Sequence, residues 1–321
     1  MTAQAALPHS IAQTGVIVTL ITPAPNGCNL RCPFCFIRQR GEDQAQSALK
    51  PKDYAHFVER AAAGGPVAAV CIQGYEPLLP EAMAYTRAIL RTGRRLGIPT
   101  SLVTNGVELA PAVDELAALG IGKIAVSIDA ADAASHDRQR GKAGAWAAAI
   151  EGLRRAVSKL PDTTELTVTS VLIPKRRHQL EGMPELLKGL GVKRWVVNAL
   201  RKIEPGRSGR PWGNRSTILE DMTVLQRLAE RHGIDFCVDD EFDTLRQDDL
   251  GDDVARIEAL RVRRLERPSG VFRLLPDGRC SLGREILEQV GPDTPKWDPK
   301  AMDAGAFIRS FQPRLEGLVE R

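Results

Sequence analysis

Three cysteines stand close together near the start of the chain, in the segment from Gly27 to Arg38, GCNLRCPFCFIR. Cys28, Cys32 and Cys35 follow the spacing C-x3-C-x2-C, and no fourth Cys or His lies close by in the sequence. Thiolates are soft ligands that select iron–sulfur clusters, zinc or Cu(I). Because a structural zinc ion is normally held by four ligands, a local set of three fits a [4Fe–4S] cluster with one open iron better. A zinc knuckle and a plain group of reduced thiols remain as alternatives.

This spacing, with Phe34 directly before the last cysteine, resembles the radical S-adenosylmethionine (radical SAM) superfamily. The resemblance implies that the amino and carboxylate groups of SAM bind the open iron. It also implies that one electron from the cluster cleaves SAM to methionine and a 5′-deoxyadenosyl radical. An external donor such as flavodoxin or ferredoxin would supply that electron.

The segment Gly74-Tyr75-Glu76-Pro77 resembles the GGEP motif with which this family binds the amino group of SAM. The glycine permits a close approach of the backbone, Glu76 can accept from an ammonium, and Pro77 fixes the turn. Tyr75 stands where the family usually has glycine, so its φ must suit a residue with a Cβ. An ordinary proline-containing turn is the alternative.

Three further residue sets resemble SAM-binding elements of the same family. Ser127 and Asp129 are similar to a strand-end S-x-D element, and their spacing of two puts both side chains on one face of a strand. The segment His136–Gly141 is similar to HDxxRG, in which Arg140 is a candidate clamp for the SAM carboxylate because its planar fork suits bidentate binding. A solvated loop before a helix is the alternative there. Asn105 either contacts the cofactor or shapes a turn.

An alternation of apolar strands and amphipathic helices positions these residues. The predicted strands cover residues 15–21, 67–72, 99–104, 123–128, 166–173 and 193–200. The predicted helices cover residues 54–63, 80–96, 111–119, 144–159, 178–190 and 217–231. Such alternation predicts parallel βαβ units, and the resemblance selects a partial (βα)6 barrel. The candidate residues follow the strands, so we expect them at the C-terminal ends of the strands, where α/β barrels carry their sites.

Composition changes after the last predicted helix, where an acidic run precedes a basic stretch. We therefore predict three parts: an N-terminal lead (1–14), the partial barrel (15–232) and a smaller α+β C-terminal extension (233–321). The 321 residues are 43% hydrophobic and 26% charged, and the net charge of +4 is too mild to indicate nucleic acid or membrane binding. No apolar run approaches the roughly 18 residues of a membrane span, and no signal peptide is evident. We expect a reducing cytoplasm, in which clustered cysteines bind metal.

Cys71, Cys237 and Cys280 lie outside the cysteine motif. Cys71 falls inside an apolar strand and is expected in the core. The segment Phe272–Cys280, FRLLPDGRC, predicts a hairpin and resembles part of the SPASM/Twitch extensions of radical SAM enzymes. A second cluster needs three or four thiolates, and two are too few, so the sequence disfavours one while leaving it open. Cys280 or Cys237 could instead donate a hydrogen atom to a substrate radical, as in some radical SAM epimerases.

The sequence thus predicts a radical SAM enzyme that abstracts a hydrogen from a small polar molecule and yields an epimer, an oxidised carbon or a rearranged skeleton. The acidic residues between Asp239 and Asp249 would suit a cationic substrate such as an aminosugar, although such a run is more often a solvated loop. Two alternatives stay open: a radical SAM enzyme that modifies a ribosomal peptide, and a non-catalytic iron–sulfur or zinc protein.

Overall fold

The computed structural model describes residues 16–35, 48–64, 67–204, 207–211, 213–239, 260, 262–263, 271–282 and 294–310. The strands are β1 (Val16–Thr22), β2 (Val67–Gly74), β3 (Thr100–Thr104), β4 (Lys123–Ser127), β5 (Glu165–Leu172), β6 (Arg194–Ala199), β7 (Arg201–Glu204), β8 (Arg207–Pro211), β9 (Asp235–Asp239), β10 (Val262–Arg263), β11 (Val271–Leu274) and β12 (Cys280–Leu282). The helices are α1 (Pro51–Gly64), α2 (Met83–Leu96), α3 (Leu109–Leu119), α4 (Ala133–Arg140), α5 (Ala145–Lys159), α6 (Met183–Leu190), α7 (Arg215–His232) and α8 (Ala304–Arg309).

Strands β1 to β6 lie side by side in chain order, and each neighbouring pair is parallel. A helix follows each of the first five strands, and α7 follows β6 after the short β7–β8 hairpin. Parallel neighbours require such crossover connections. The predicted α/β fold with six strand–helix units is confirmed, and the C-terminal ends of all six strands meet at one end of the sheet. We call that end the barrel mouth.

The C-terminal part of the chain adds strands to both edges of this sheet. β9 pairs in parallel with β6, and β11 pairs in parallel with β1. β10 and β12 then extend the two edges, which gives a ten-stranded sheet. The sheet therefore continues across residue 233, where the sequence predicted the extension to begin, and the division into domains stays a prediction.

The two faces of the sheet differ in what covers them. A Cβ placed on Gly106 would lie 2.8 Å from Val126 of β4 and 2.9 Å from Ala149 of α5, so Val126 faces the helices. Neighbouring residues along a strand point to opposite faces, and Ser127 therefore lies on the other side, which we call the inner face. The apolar core, which includes Val126 and Trp195, fills the space between the sheet and the helices.

Helix α4 was missed by the sequence reasoning, which allowed a solvated loop there. Asp132 caps the helix by accepting from the N–H of Ser135 at 2.8 Å. His136 and Arg140 are buried, so the loop alternative is wrong for residues 133–140. Six of the eight residues are polar, and the helix lacks an apolar period, which is why local pattern gave no signal.

Two sequence predictions fall outside the described residues. They are the N-terminal lead (1–14) and the part of the acidic run from Asp240 to Asp249. Within the part of the chain that the structure describes, no helix is long and apolar enough to cross a membrane.

Candidate active site

The cysteine loop follows β1 at the barrel mouth. It begins with a turn in which the N–H of Gly27, at φ +77°, donates to the carbonyl of Ala24 at 2.8 Å. Cys28, Cys32 and Cys35 are free and partly exposed, and the N–H of Cys35 donates to the carbonyl of Cys32 at 3.2 Å. The loop thus brings three thiols to the end of the strand where the sequence predicted the site.

Glu76 joins the loop after β2 to the end of β3. Its carboxylate accepts from the Oγ1 of Thr104 at 2.6 Å, from the N–H of Asn105 at 2.7 Å and from the N–H of Leu78 at 3.1 Å. Burial raises the pKa of Glu76 to about 7, although these hydrogen bonds act in the opposite direction. An ionised carboxylate offers about four acceptor positions, so these three bonds leave room for one more donor.

The backbone around Glu76 explains the residues beside it. Gly74 has φ +131°, and a Cβ there would lie 3.0 Å from the backbone N and O of Thr22, so the position needs glycine. Among the described residues, Lys175 is the one non-glycine residue with positive φ. Tyr75 therefore has an ordinary φ, as a residue with a Cβ requires, and the carbonyl of Pro77 accepts from Thr86 at 2.8 Å.

Asn105 connects the end of β3 to the cysteine loop. Its Nδ2 donates to Oδ1 of Asn29 at 2.7 Å and lies 3.8 Å from Sγ of Cys28. Its own Oδ1 accepts from the N–H of Val107 at 2.9 Å. Asn105 thus shapes its turn and also reaches a cluster cysteine. The sequence gave no signal for Asn29, whose role depends on a contact between separate loops.

Arg140, at the C-terminus of α4, holds the cysteine loop through both its backbone and its side chain. Its carbonyl accepts from the N–H of Arg31 at 2.9 Å. Its guanidinium lies 3.9 Å from Sγ of Cys32 and 5.8 Å from the ring centre of Phe34. A Cβ on Gly141, which has φ +65°, would lie 2.5 Å from the carbonyl oxygen of Arg31, so close approach of the two segments requires glycine there.

Asp129 balances the charge of Arg140. The two groups form an ion pair at 2.7 Å, with the Asp129 side chain fully buried. Oδ1 of Asp129 also accepts from the N–H of Val171 at 2.9 Å, and its own N–H donates to Nδ1 of His136 at 3.1 Å. Burial lowers the pKa of His136 to about 3, so this imidazole is neutral and can accept. The sequence prediction of an Arg140 clamp on SAM did not include this partner.

Ser127 and the two remaining candidate cysteines lie in different surroundings. Oγ of Ser127 is 3.4 Å from Oγ1 of Thr169 on the inner face. Cys237 is partly exposed on β9, paired with Val196 of β6. Cys280 is 1% exposed within the apolar core on the helix side, and burial raises the pKa of its thiol well above the usual value.

The three loop cysteines fit a [4Fe–4S] cluster by their chemistry. Burial is the main cause that raises the pKa of Cys28 to about 11. The negative charges of Glu76, Cys32 and Cys35 make smaller contributions in the same direction. Burial also raises the pKa of Cys32. In the absence of a metal, these crowded thiols keep their protons. A cationic centre displaces the protons when it binds, because the thiolate is the ligand form. Among the described residues, no three Cys, His, Asp or Glu side chains are placed to hold a single metal ion.

The model of the radical SAM superfamily matches residues 22–187, just over half of the chain. The chain belongs to the radical SAM superfamily. The cofactors of this family are a [4Fe–4S] cluster and SAM. The predicted family and cofactors are confirmed.

Curated relatives and solved structures agree with this membership. The chain is 37% identical over 139 residues to the AdoMet-dependent heme synthase of Methanosarcina barkeri, covering 40% of this chain and 37% of that protein. It is 33% identical over 204 residues to GTP 3′,8-cyclase 2 of Mycobacterium bovis, covering 63% and 54%. The chain therefore spans about half or less of the length of these two relatives.

The fold resembles that of SuiB from Streptococcus suis, solved with the precursor peptide SuiA. The TM-score is 0.65 at 15% identity, and the match covers 92% of this chain and 67% of SuiB. At this identity the likeness shows the shared fold alone. With 92% of this chain covered, the likeness extends beyond residue 187.

Proposed function

We propose that this radical SAM enzyme removes a hydrogen atom from a small polar molecule on the inner face and returns one from Cys237, which produces an epimer. The observation that carries the proposal is one row of paired residues across the sheet. Ser127 pairs with Thr169, Thr169 with Val196 and Val196 with Cys237. Residues paired in this way point to the same face, so Cys237 lies on the face that carries Ser127.

The spacing of this row suits a substrate between cofactor and thiol. Cys237 is three strands from Ser127, which corresponds to about 14 Å at the usual strand separation. Thr169 lies between them with a hydroxyl group, and Asn198 is on the same face one pleat closer to the mouth, paired with Val171. Hydroxyl and amide groups favour a polar ligand over an apolar one.

The residues of the candidate active site would hold SAM. Glu76 keeps one acceptor position for the amino group, and Gly74 and Pro77 fix the backbone that carries it. Asn105 and Ser127 offer polar contacts, while Arg140, held by Asp129, offers a positive charge beside the cysteine loop. Cys28, Cys32 and Cys35 would hold the cluster, which would supply the electron for reductive cleavage of SAM, and SAM would supply the radical chemistry that removes the substrate hydrogen.

The return of hydrogen takes place at the sulfur of Cys237. The S–H bond of Cys237 breaks, its hydrogen atom forms a new C–H bond on the opposite face of the substrate carbon, and a thiyl radical remains. One electron and one proton restore the thiol. A low-potential donor protein such as flavodoxin or ferredoxin is the proposed source of the electron. Cys280, the second sequence candidate, is enclosed by apolar side chains on the other face of the sheet, which favours Cys237.

The test is turnover of the anaerobically reconstituted enzyme with candidate substrates in D2O. We expect 5′-deoxyadenosine and one deuterium per product, because a thiol exchanges its hydrogen with solvent. Cys237→Ala should still form 5′-deoxyadenosine but lose at least 100-fold of product formation, about 3 kcal/mol of transition-state stabilisation. Cys71→Ala is the matched control, since Cys71 lies on the same face nearer the strand N-termini, paired with Ser101. Undiminished epimer formation by Cys237→Ala would overturn the proposal.

Peptide modification is the second candidate, because SuiB was solved with its precursor peptide. A peptide substrate would give 5′-deoxyadenosine in a peptide-dependent manner, with a mass change on the peptide. Peptide-dependent turnover with no activity on small molecules would favour this candidate.

A further inference from the structure

Two of the loop cysteines have an N–H donor beside the sulfur, and the two donors differ in charge. At Cys28 the neighbour is the neutral amide of Asn105, whose Nδ2 lies 3.8 Å from the sulfur and already donates to Asn29. At Cys32 the neighbour is the cation of Arg140, whose Nη1 lies 3.9 Å from the sulfur. Hydrogen bonds to the sulfurs and the charge around an iron–sulfur cluster set its reduction potential. The cationic donor should therefore have the larger effect.

Arg140 keeps its position beside Cys32 because it is buried against a carboxylate. Its side chain is 10% exposed, that of Asp129 is 0% exposed, and Nη2 of the arginine lies 2.7 Å from Oδ2 of Asp129. The guanidinium thus directs one terminal nitrogen to the carboxylate and the other to the sulfur. A guanidinium is not deprotonated in proteins, so the positive charge is permanent. Its interaction with a nearby charge is stronger in this buried place than in water.

The cation outweighs its carboxylate partner at the sulfur of Cys32. Burial is the main cause that raises the pKa of this thiol, while Arg140 acts to lower the pKa and Asp129 acts to raise it. Of these two charges, Arg140 has the larger effect. The same order should hold for negative charge that a cluster places on the sulfur. Because one-electron reduction adds a negative charge, the pair of Arg140 and Asp129 should favour the reduced form.

We propose that Arg140, held by Asp129, raises the reduction potential of the [4Fe–4S] cluster through Cys32 and so helps a donor protein to reduce it. The backbone fixes the same contact, since the carbonyl of Arg140 accepts from the N–H of Arg31, the residue directly before Cys32, at 2.9 Å. Arg140 is a positioning residue in this role, which differs from a clamp on SAM because it acts when SAM is absent. The role depends on the cluster and is independent of the proposed epimerisation.

The experiment measures the reduction potential of the cluster-loaded enzyme without SAM, by EPR of the reduced cluster against applied potential, with the iron content of each variant determined. Arg140→Gln should lower the equilibrium constant for one-electron reduction roughly tenfold, which equals about 59 mV. Asp129→Asn should raise this constant about threefold, because the opposing negative charge is lost while the cation stays. The matched control Arg138→Gln removes an exposed cation from the same helix and should change the constant less than about twofold.

The opposite signs of the two variants separate charge from structure. If the pair were purely structural, both variants would loosen the cysteine loop and shift the potential in the same direction, which would overturn the proposal. An unchanged potential in Arg140→Gln, together with weaker binding of SAM, would overturn it as well, because a clamp on SAM would then be the whole role of Arg140.

Two further variants decide the matter if Arg140→Gln does not retain a cluster. Arg140→Lys keeps the charge and should hold the constant within about threefold of the unaltered enzyme. Arg140→Gln/Asp129→Asn leaves no unpaired buried carboxylate and should still lower the constant, because the larger of the two effects at the sulfur is lost. A constant that is unchanged or raised in the double variant would contradict the proposal. None of these measurements requires Cys237 or a substrate, so their failure leaves the proposed hydrogen return standing.

Discussion

The two ends of the same parallel strands handle charge in opposite ways. At their N-terminal ends, Glu165 forms ion pairs with Lys123 at 2.7 Å and with Arg194 at 2.8 Å, and all three side chains are partly exposed. Burial alone would raise the pKa of Glu165, but Lys123 and then Arg194 lower it to about 2. At the barrel mouth burial raises the pKa of Glu76 to about 7, and its three uncharged hydrogen-bond donors lower the pKa too little to offset that burial.

The charges at the N-terminal ends of the strands contribute to stability, whereas those at the barrel mouth prepare the site for a ligand. The charged groups at the N-terminal ends form ion pairs that remain partly exposed to solvent. Such ion pairs stabilise a protein only modestly. The mouth buries Asp129 and Arg140 together and surrounds them with neutral groups, which is costly unless the pair stays intact. Polar groups held in this way are preorganised for a ligand. Changes at the mouth should therefore cost more stability than equivalent changes at the other end.

The largest expected effect compares Arg140→Gln with Arg194→Gln. Arg140→Gln leaves the buried Asp129 without its cation and should lower the free energy of unfolding by about 3–5 kcal/mol. Arg194→Gln removes a partly exposed cation and should cost about 1 kcal/mol. Urea unfolding of the anaerobically purified variants at pH 7 measures both. Equal losses would contradict the contrast between the two ends.

A smaller effect is expected from backbone contact at the mouth. Gly141→Ala places a Cβ 2.5 Å from the carbonyl oxygen of Arg31, so the two segments must separate. The matched control is Gly233→Ala, at the similar φ of +72° with nothing within 4 Å of the added Cβ. The control should cost about 1 kcal/mol for the left-handed conformation alone. Gly141→Ala should cost about 2–3 kcal/mol when this clash is added, and a difference below 0.5 kcal/mol in urea unfolding would count against the contact.

The pH dependence of stability also distinguishes the two ends. His136 has a pKa of about 3 when folded, below its unfolded value. The unfolded chain therefore binds the additional proton, and stability is lost as pH falls from about 6.5, with a slope of up to about 1.4 kcal/mol per pH unit. His136→Asn should remove this slope between pH 6.5 and 4.5. Thermal unfolding at stepped pH measures it, and an unchanged slope would contradict a buried neutral imidazole.

Glu165 affects the stability of the protein in a lower pH range than His136 does. Its folded pKa of about 2 lies below the unfolded value, so its contribution is complete above pH of about 4.5 and is lost as pH falls towards 2. The slope should be smaller than that of His136, since Glu165 is 27% exposed and partly screened. Glu165→Gln should flatten stability below pH 4.5 and leave the His136 window unchanged.

The sequence predicted the strands well because their signal is local. The predicted strands 67–72 and 123–128 differ from β2 and β4 by at most two residues at either end, and Cys28, Glu76 and Asn105 lie at the strand ends as expected. The glycines and prolines that end each element are read directly from the chain.

What the sequence did not predict depends on distant partners. The hairpin at residues 272–280 was expected, but its parallel pairing with β1 was not, because no local pattern specifies which edge a strand joins. Helix α4 was missed for a related reason, since its burial depends on Asp129 and the cysteine loop rather than on apolar periodicity. The sequence also suggested Cys237 and Cys280 equally, and the sheet register places them on opposite faces.

The pairing of β1 with β11 has a consequence for biosynthesis. β1 carries the cysteine loop, and Ile17 of this strand pairs with Val271 of β11. Synthesis must therefore proceed beyond residues 271–274 before the strand under the loop gains its second neighbour. Iron and sulfide delivered before β11 has been synthesised would meet a loop whose strand has a neighbour on one side alone, so we expect assembly of the cubane to follow the synthesis of β11.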